Sequence, residues 1–96
     1  VSVPQAGTYR ILVRVRKKND RGIFQLATAE SLGGTYTNRG AVQDHYNTAS
    51  TLRTLDLGTV TFASAGTKAF RFTCTGKNSS SSAFKMVWDY LELVAP

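Results

Sequence analysis

The sequence predicts an all-β fold, an antiparallel β-sandwich built as one domain over residues 1–96. Three observations carry this. No segment shows an apolar period near 3.6 residues. Five stretches have the alternating or continuous apolar pattern of strands. Turns rich in Gly, Ser, Asn and Asp separate them.

The elements follow in order. Val1 to Gly7 is a short extended entry, where Pro4 cannot donate to a ladder and Ala6-Gly7 turns. In Thr8 to Arg16, Tyr9, Ile11, Val13 and Val15 point one way, and Thr8, Arg10, Leu12, Arg14 and Arg16 the other. This is a half-buried strand with a basic outer face. Lys17-Lys18-Asn19-Asp20 is a polar turn. Arg21 to Ala27 is a second strand, with Phe24 and Leu26 facing the core. Ala29-Glu30-Ser31 turns, and Leu32 to Thr37 is a short return strand broken by Gly33-Gly34. Asn38 to Ser50 has no apolar period and reads as a long loop of the kind that carries function.

Thr51 to Ala63 is a strand bent or bulged at Gly58. After the Ser64-Ala65-Gly66 turn, Thr67 to Thr75 sets Phe70, Phe72 and Cys74 inward and Arg71, Thr73 and Thr75 outward. Lys68 shares the inward parity at the strand's start, where it reaches water. Gly76 to Ser82 is a flexible polar loop. In the last strand, Phe84 to Leu93, strict alternation groups Phe84, Met86, Trp88 and Tyr90, but Val87, Leu91 and Leu93 favour the opposite face. That phase shift predicts burial on both faces or a bulge near Trp88–Asp89. Trp88 reads as core, and Cys74 as a small buried hydrophobe.

Composition narrows the function. Twelve Lys and Arg against six acids give a net charge of +6. Much of it falls in Arg10, Arg14, Arg16, Lys17, Lys18 and Arg21. Arg10, Arg14 and Arg16 share one strand face at ~7 Å intervals and would line an anionic polymer such as an acidic polysaccharide. Nucleic acid is disfavoured, because no aromatic residue interleaves with those Arg side chains. No apolar run is long enough to span a membrane. One Cys and one His cannot build a zinc site. Neither a nucleophile elbow nor a phosphate-cradling glycine loop occurs, so an enzyme is not expected. The chain opens on Val1 without an initiator Met or a signal peptide, and reads as a processed or excised piece.

Four segments in their order carry a resemblance: Val3-Pro4-Gln5-Ala6-Gly7-Thr8-Tyr9, Asp56-Leu57-Gly58-Thr59-Val60, Ala65-Gly66-Thr67, and Trp88-Asp89-Tyr90-Leu91-Glu92-Leu93. Together they resemble the galactose-binding-like β-jelly-roll of non-catalytic carbohydrate-binding modules appended to bacterial polysaccharide-degrading enzymes. The resemblance covers Val3 to Leu93. It implies a jelly-roll sandwich, a secreted, extracellular setting and a glycan partner. Such modules carry one or two strands ahead of the Pro-x-Ala-Gly-Thr-Tyr segment. Here only two residues precede Val3, so the first strand is missing or comes from another domain or chain. In related modules acids of that first segment and one acid of the last strand hold a structural calcium. Asp89 matches the last-strand position. No other cofactor is implied.

The loops locate the expected site. If the strands Thr51–Ala63 and Thr67–Thr75 run full length, Asn38–Ser50 and Gly76–Ser82 lie at one end of the sandwich. That end collects Arg39, Asp44, His45, Tyr46, Asn47, Lys77 and Asn78. Sugar recognition needs an aromatic face against C–H groups and planar polar groups for hydroxyls. Tyr46 would stack, with His45, Asn47, Asn78 and Arg39 hydrogen-bonding. The competing expectation is a structural subunit or repeat of an extracellular fibre or surface protein, assembled by strand complementation.

Overall fold

The computed structural model describes residues 1–96, the whole chain. It contains eight strands: β1 (Ser2–Val3), β2 (Gly7–Lys17), β3 (Ile23–Ala29), β4 (Thr37–Asp44), β5 (Thr51–Phe62), β6 (Gly66–Thr67), β7 (Ala69–Gly76) and β8 (Trp88–Val94). All pairings between them are antiparallel. One sheet has the order β5-β2-β8 and the other β4-β3-β7, with β1-β6 as a small third ribbon. The expected antiparallel sandwich of jelly-roll type is the fold observed.

The two central strands build the core. On β2 the odd positions Ile11, Val13 and Val15 are fully buried, as the alternation requires. Burying each is worth roughly 2 kcal/mol against exposure. They join Leu57, Val60 and Phe62 of β5 and Leu26 of β3, and Phe70, Phe72, Leu91 and Leu93 pack at the margins. Val3 of β1 seals one end of this cluster at 2% exposure. At that end Lys68 is buried rather than solvated: its Nζ donates to Glu30 Oε1 at 2.8 Å and to Ser64 Oγ at 3.0 Å. The ammonium is neutralised where the strand parity had placed it facing inward.

Both predicted irregularities are present. The β2–β5 register shifts between Arg10 and Leu12, opposite Leu57-Gly58, and Gly58 takes φ +82°. A left-handed residue suits a bulge, and Gly pays no Cβ penalty there. On β8, Arg14 pairs with Tyr90 and Val15 with Trp88, which leaves Asp89 as the unpaired extra residue.

Five further expectations are corrected. Most of the long loop is strand: Thr37–Asp44 pairs with β3 as an edge, and it shows no apolar alternation because none of its positions is buried. The return strand Leu32–Thr37 is instead a turn leading into β4. The last strand begins at Trp88, and Phe84 to Val87 lies outside it. Trp88 and Cys74 are both exposed, because β7 and β8 are the outermost strands of their sheets on one side of the sandwich.

Candidate functional site

The loops converge as expected. The Lys17–Asp20 turn, the β4–β5 connection and the Gly76–Val87 stretch meet at the end of the sandwich away from β1. Lys18 N–H donates to the His45 carbonyl (3.2 Å) and Asn47 N–H to the Lys18 carbonyl (3.0 Å). Ser82 N–H donates to Asn19 and Lys85 N–H to Asp20, each at 3.0 Å. Arg21, part of the basic run in sequence, is buried here; its Nε donates to the Arg16 carbonyl at 3.0 Å, and its guanidinium pairs with Asp20.

Convergence at this end is spent on holding the loops together. His45 is 1% exposed, its ring 5.1 Å from that of Phe24, and its Nδ1 has no hydrogen-bond partner. Burial, with the Lys17 charge adding to it, pushes its pKa down to about 4. It is a neutral core group, not a ligand for a sugar. Asn47 Nδ2 donates to Thr51 Oγ1, and its Oδ1 accepts from Thr48 N–H. Asn78 Nδ2 donates to Asp44 Oδ2 at 3.0 Å, while its Oδ1 accepts from Ser80 N–H. The bonds that Thr48 N–H and Ser80 N–H donate to the two Oδ1 atoms are the local ones by which Asn builds turns; the two amide groups tie to the side chains of Thr51 and Asp44. Lys77 Nζ donates to the Ser81 carbonyl at 2.9 Å and lies 5.9 Å from the Phe84 ring centre. Tyr46 is half-buried and bridges to Lys18. Arg39 is elsewhere: it sits opposite Leu26 in mid-strand and donates to Thr28 Oγ1. Asp44 accepts from Asn78 and from Tyr46 N–H, so the seven residues do not form one open polar cluster.

The outer face of the β5-β2-β8 sheet is different. Arg10 pairs with Asp56 at 2.9 Å. Asp56 Oδ1 also accepts the Gly58 N–H, and that bond together with Arg10 holds its carboxyl below the usual range. Arg14 Nη1 donates to Thr54 Oγ1 at 3.0 Å, and Arg16 Nη1 to Ser50 Oγ at 2.8 Å. No acid pairs with either; the other ion pairs are Arg21–Asp20, Lys85–Asp20 and Lys68–Glu30. Tyr90 lies directly opposite Arg14 and is 44% exposed. Strict alternation groups Tyr90 with Trp88, but the extra residue Asp89 puts the two on opposite faces. An aromatic ring thus joins the arginine face, against the expectation that none does. The phase shift that marked the bulge is the signal from which Tyr90's position follows. No pocket opens on this or any other surface.

Asp89 is exposed at the bulge. No group of three or more His, Cys, Asp or Glu residues gathers anywhere in the chain. Calcium takes six to eight oxygens, so the residues present do not fit a calcium site at Asp89. Trp88 lies over Phe72, ring centres 6.4 Å apart, and is 51% exposed. As the only Trp, it makes a direct test of this side of the sandwich. Acrylamide and iodide should quench its native-state emission nearly as efficiently as that of the unfolded chain; emission shielded from quencher would instead put Trp88 in the core.

No protein-family model and no curated protein matches the chain. Among solved structures, the chain is similar to a xanthan lyase from Paenibacillus, with a TM-score of 0.86 and 36% sequence identity. That likeness spans 100% of this chain but 9% of the lyase.

Proposed function

We propose that this domain is a non-catalytic polysaccharide-binding module of a larger, secreted polysaccharide-acting protein. One observation carries the reading: the whole chain is similar to a small part of a xanthan lyase, at 36% identity. The chemistry of the domain agrees with a binding role. Its one imidazole is neutral and buried among core groups. No enclosed cleft opens on the domain, which suits a polymer lying across a sheet better than a small molecule held in a pocket.

Affinity gel electrophoresis tests this. The domain is expected to be retarded in gels containing xanthan or another extended polysaccharide, relative to gels without polymer. Unchanged mobility across xanthan, pectate, alginate and glucomannan gels would sink the proposal. Assembly by strand complementation has one observation in its favour, the free edge of β8 beside exposed Val87 and Trp88. Sedimentation separates the two readings: a glycan-binding module runs as a monomer, and a complemented fibre subunit as a concentration-dependent assembly.

A further inference from the structure

We infer that the module's binding surface is the outer face of the β5-β2-β8 sheet, centred on Arg14, Arg16 and Tyr90, and that it takes a carboxylate-bearing polysaccharide. This rests on the polysaccharide-binding reading above and specifies its site and ligand class.

The charge distribution on the face is uneven. Two acids paired to β2 on this face, Asp56 and Glu92, are both register partners of Leu12. Asp56 also neutralises Arg10 directly, at 2.9 Å. Beyond Leu12 no acid is a register partner of the arginines: those of Arg14 are Thr54 and Tyr90, and the β5 partner of Arg16 is Leu52. Asp89, exposed at the β8 bulge, forms no ion pair with either. The available positive charge is therefore that of Arg14 and Arg16, not of the whole arginine row.

Both guanidinium groups are also pre-oriented. Each donates one N–H to a neutral hydroxyl on the β5 side, Thr54 or Ser50. A guanidinium has five N–H donors, so the remaining ones are left for a ligand. A hydroxyl acceptor fixes the plane of the group without cancelling its charge. A planar fork held in this way suits the two oxygens of a carboxylate. Arg14 and Arg16 stand about 7 Å apart along β2. Tyr90 is about 5 Å across the ladder from Arg14, and its exposed ring supplies the apolar face that sugar C–H groups need. A chain of sugars bearing acid groups would lie along β2, with a ring against Tyr90 and its carboxylates over Arg14 and Arg16. One aromatic ring is too sparse a platform for a stacked single strand of nucleic acid.

The test uses affinity electrophoresis and calorimetry with polygalacturonate and alginate, fully methyl-esterified pectin, and a mixed-sequence single-stranded DNA. The domain should bind the two carboxylated polymers, and added salt should weaken that binding. Esterified pectin should bind at least about tenfold more weakly, and Arg14→Ala, Arg16→Ala and Tyr90→Ala should each weaken polygalacturonate binding about tenfold, the worth of one charge-assisted bond or stacking contact. Arg71→Ala removes the same charge from the other sheet and should change affinity by less than about twofold. Arg14→Lys keeps the charge but loses the fork, and should fall between Arg14→Ala and the unsubstituted domain. Each variant is compared only where its melting temperature matches that of the parent domain. Equal binding of esterified pectin, undiminished binding by Arg14→Ala, or DNA bound as tightly as polygalacturonate would each overturn the assignment. Binding of neutral glycans that is insensitive to all three face variants would overturn this site and leave the module reading standing. Binding of no polysaccharide at all would remove both.

Discussion

Lowering the pH from 7 to 4 is expected to destabilise the domain by about 3 kcal/mol, through His45. Its imidazole is buried with an unpartnered Nδ1, and its pKa falls from the ordinary 6.5 to about 4. Burial is the main cause; the Lys17 and Arg21 charges act in the same direction, and Asp44 opposes them. Because the folded-state pKa is the lower one, the unfolded chain takes up the proton first as the pH drops. The stabilisation is complete above 6.5 and is lost as the pH falls from 6.5 toward 4. A gap of that size, at about 1.4 kcal/mol per pKa unit, sets the magnitude. The three acids with lowered pKa values act in a separate, lower window. For Glu30 the main cause is the Lys68 hydrogen bond, and for Asp56 the Gly58 N–H. For Asp20 burial pulls upward, but Arg21 and Lys85 outweigh it. Their contributions are lost only as the pH falls through and below the ordinary carboxyl range. Urea denaturation at pH 7.5, 6, 5 and 4 resolves the two. His45→Phe, which keeps a ring against Phe24 without a titrating nitrogen, should flatten the curve above pH 4.5. An equally steep curve in that variant would show that His45 does not carry the dependence.

The central strands were legible because burial on one face writes a period of two into the sequence. Ile11, Val13 and Val15 alternate with Arg10, Leu12, Arg14 and Arg16, and the sheet follows. The two bulges were legible for related reasons: Gly58 interrupts an apolar run, and the apolar phase of the last strand inverts at Asp89. The edge strand β4 was not legible. Asn38, Arg39, Gly40, Gln43 and Asp44 carry no apolar period, because what they supply is backbone pairing to β3. The candidate site was partly legible. The meeting of the loops at one end follows from strand directions alone. Whether a polar side chain there is free does not, since an Asn that caps its own turn and an Asn that binds a sugar are the same letter. Asn47 bonds within its own loop, Asn78 ties its loop to Asp44 at the end of β4, and His45 turned inward. Tyr90 was missed for a different reason: its face depends on where the bulge falls, to a single residue.

Gly40→Ala is expected to cost about 3 kcal/mol, far more than its size suggests. Gly40 takes φ +67°, where a side chain costs roughly 1–2 kcal/mol. A Cβ there would also stand 2.8 Å from the carbonyl oxygen of Leu57 and 3.0 Å from its Cα. These are backbone atoms of β5, inside the other sheet, so they cannot swing aside as a side chain would. Forcing such a contact typically adds 1–3 kcal/mol. The close approach has a visible origin. Between the pairs Phe24–Gln43 and Leu26–Arg39, β4 carries extra residues opposite Gln25. Gln25 Nε2 donates to the Arg39 and Gly40 carbonyls at 3.3 Å and holds that excursion in place. It is here that β4 comes up against β5 and closes one side of the sandwich. Gly58 provides the control. It takes φ +82°, but its Cβ would meet nothing within 4 Å. Gly58→Ala should therefore show only the backbone cost, about 1–2 kcal/mol. The difference between the two variants in urea midpoint, at constant slope, measures the sheet-to-sheet contact itself. Equal losses would mean that β4 and β5 do not meet at Gly40. A larger loss at Gly40 would place the closure of this side on one glycine, in a stretch whose sequence carries no sign of a strand.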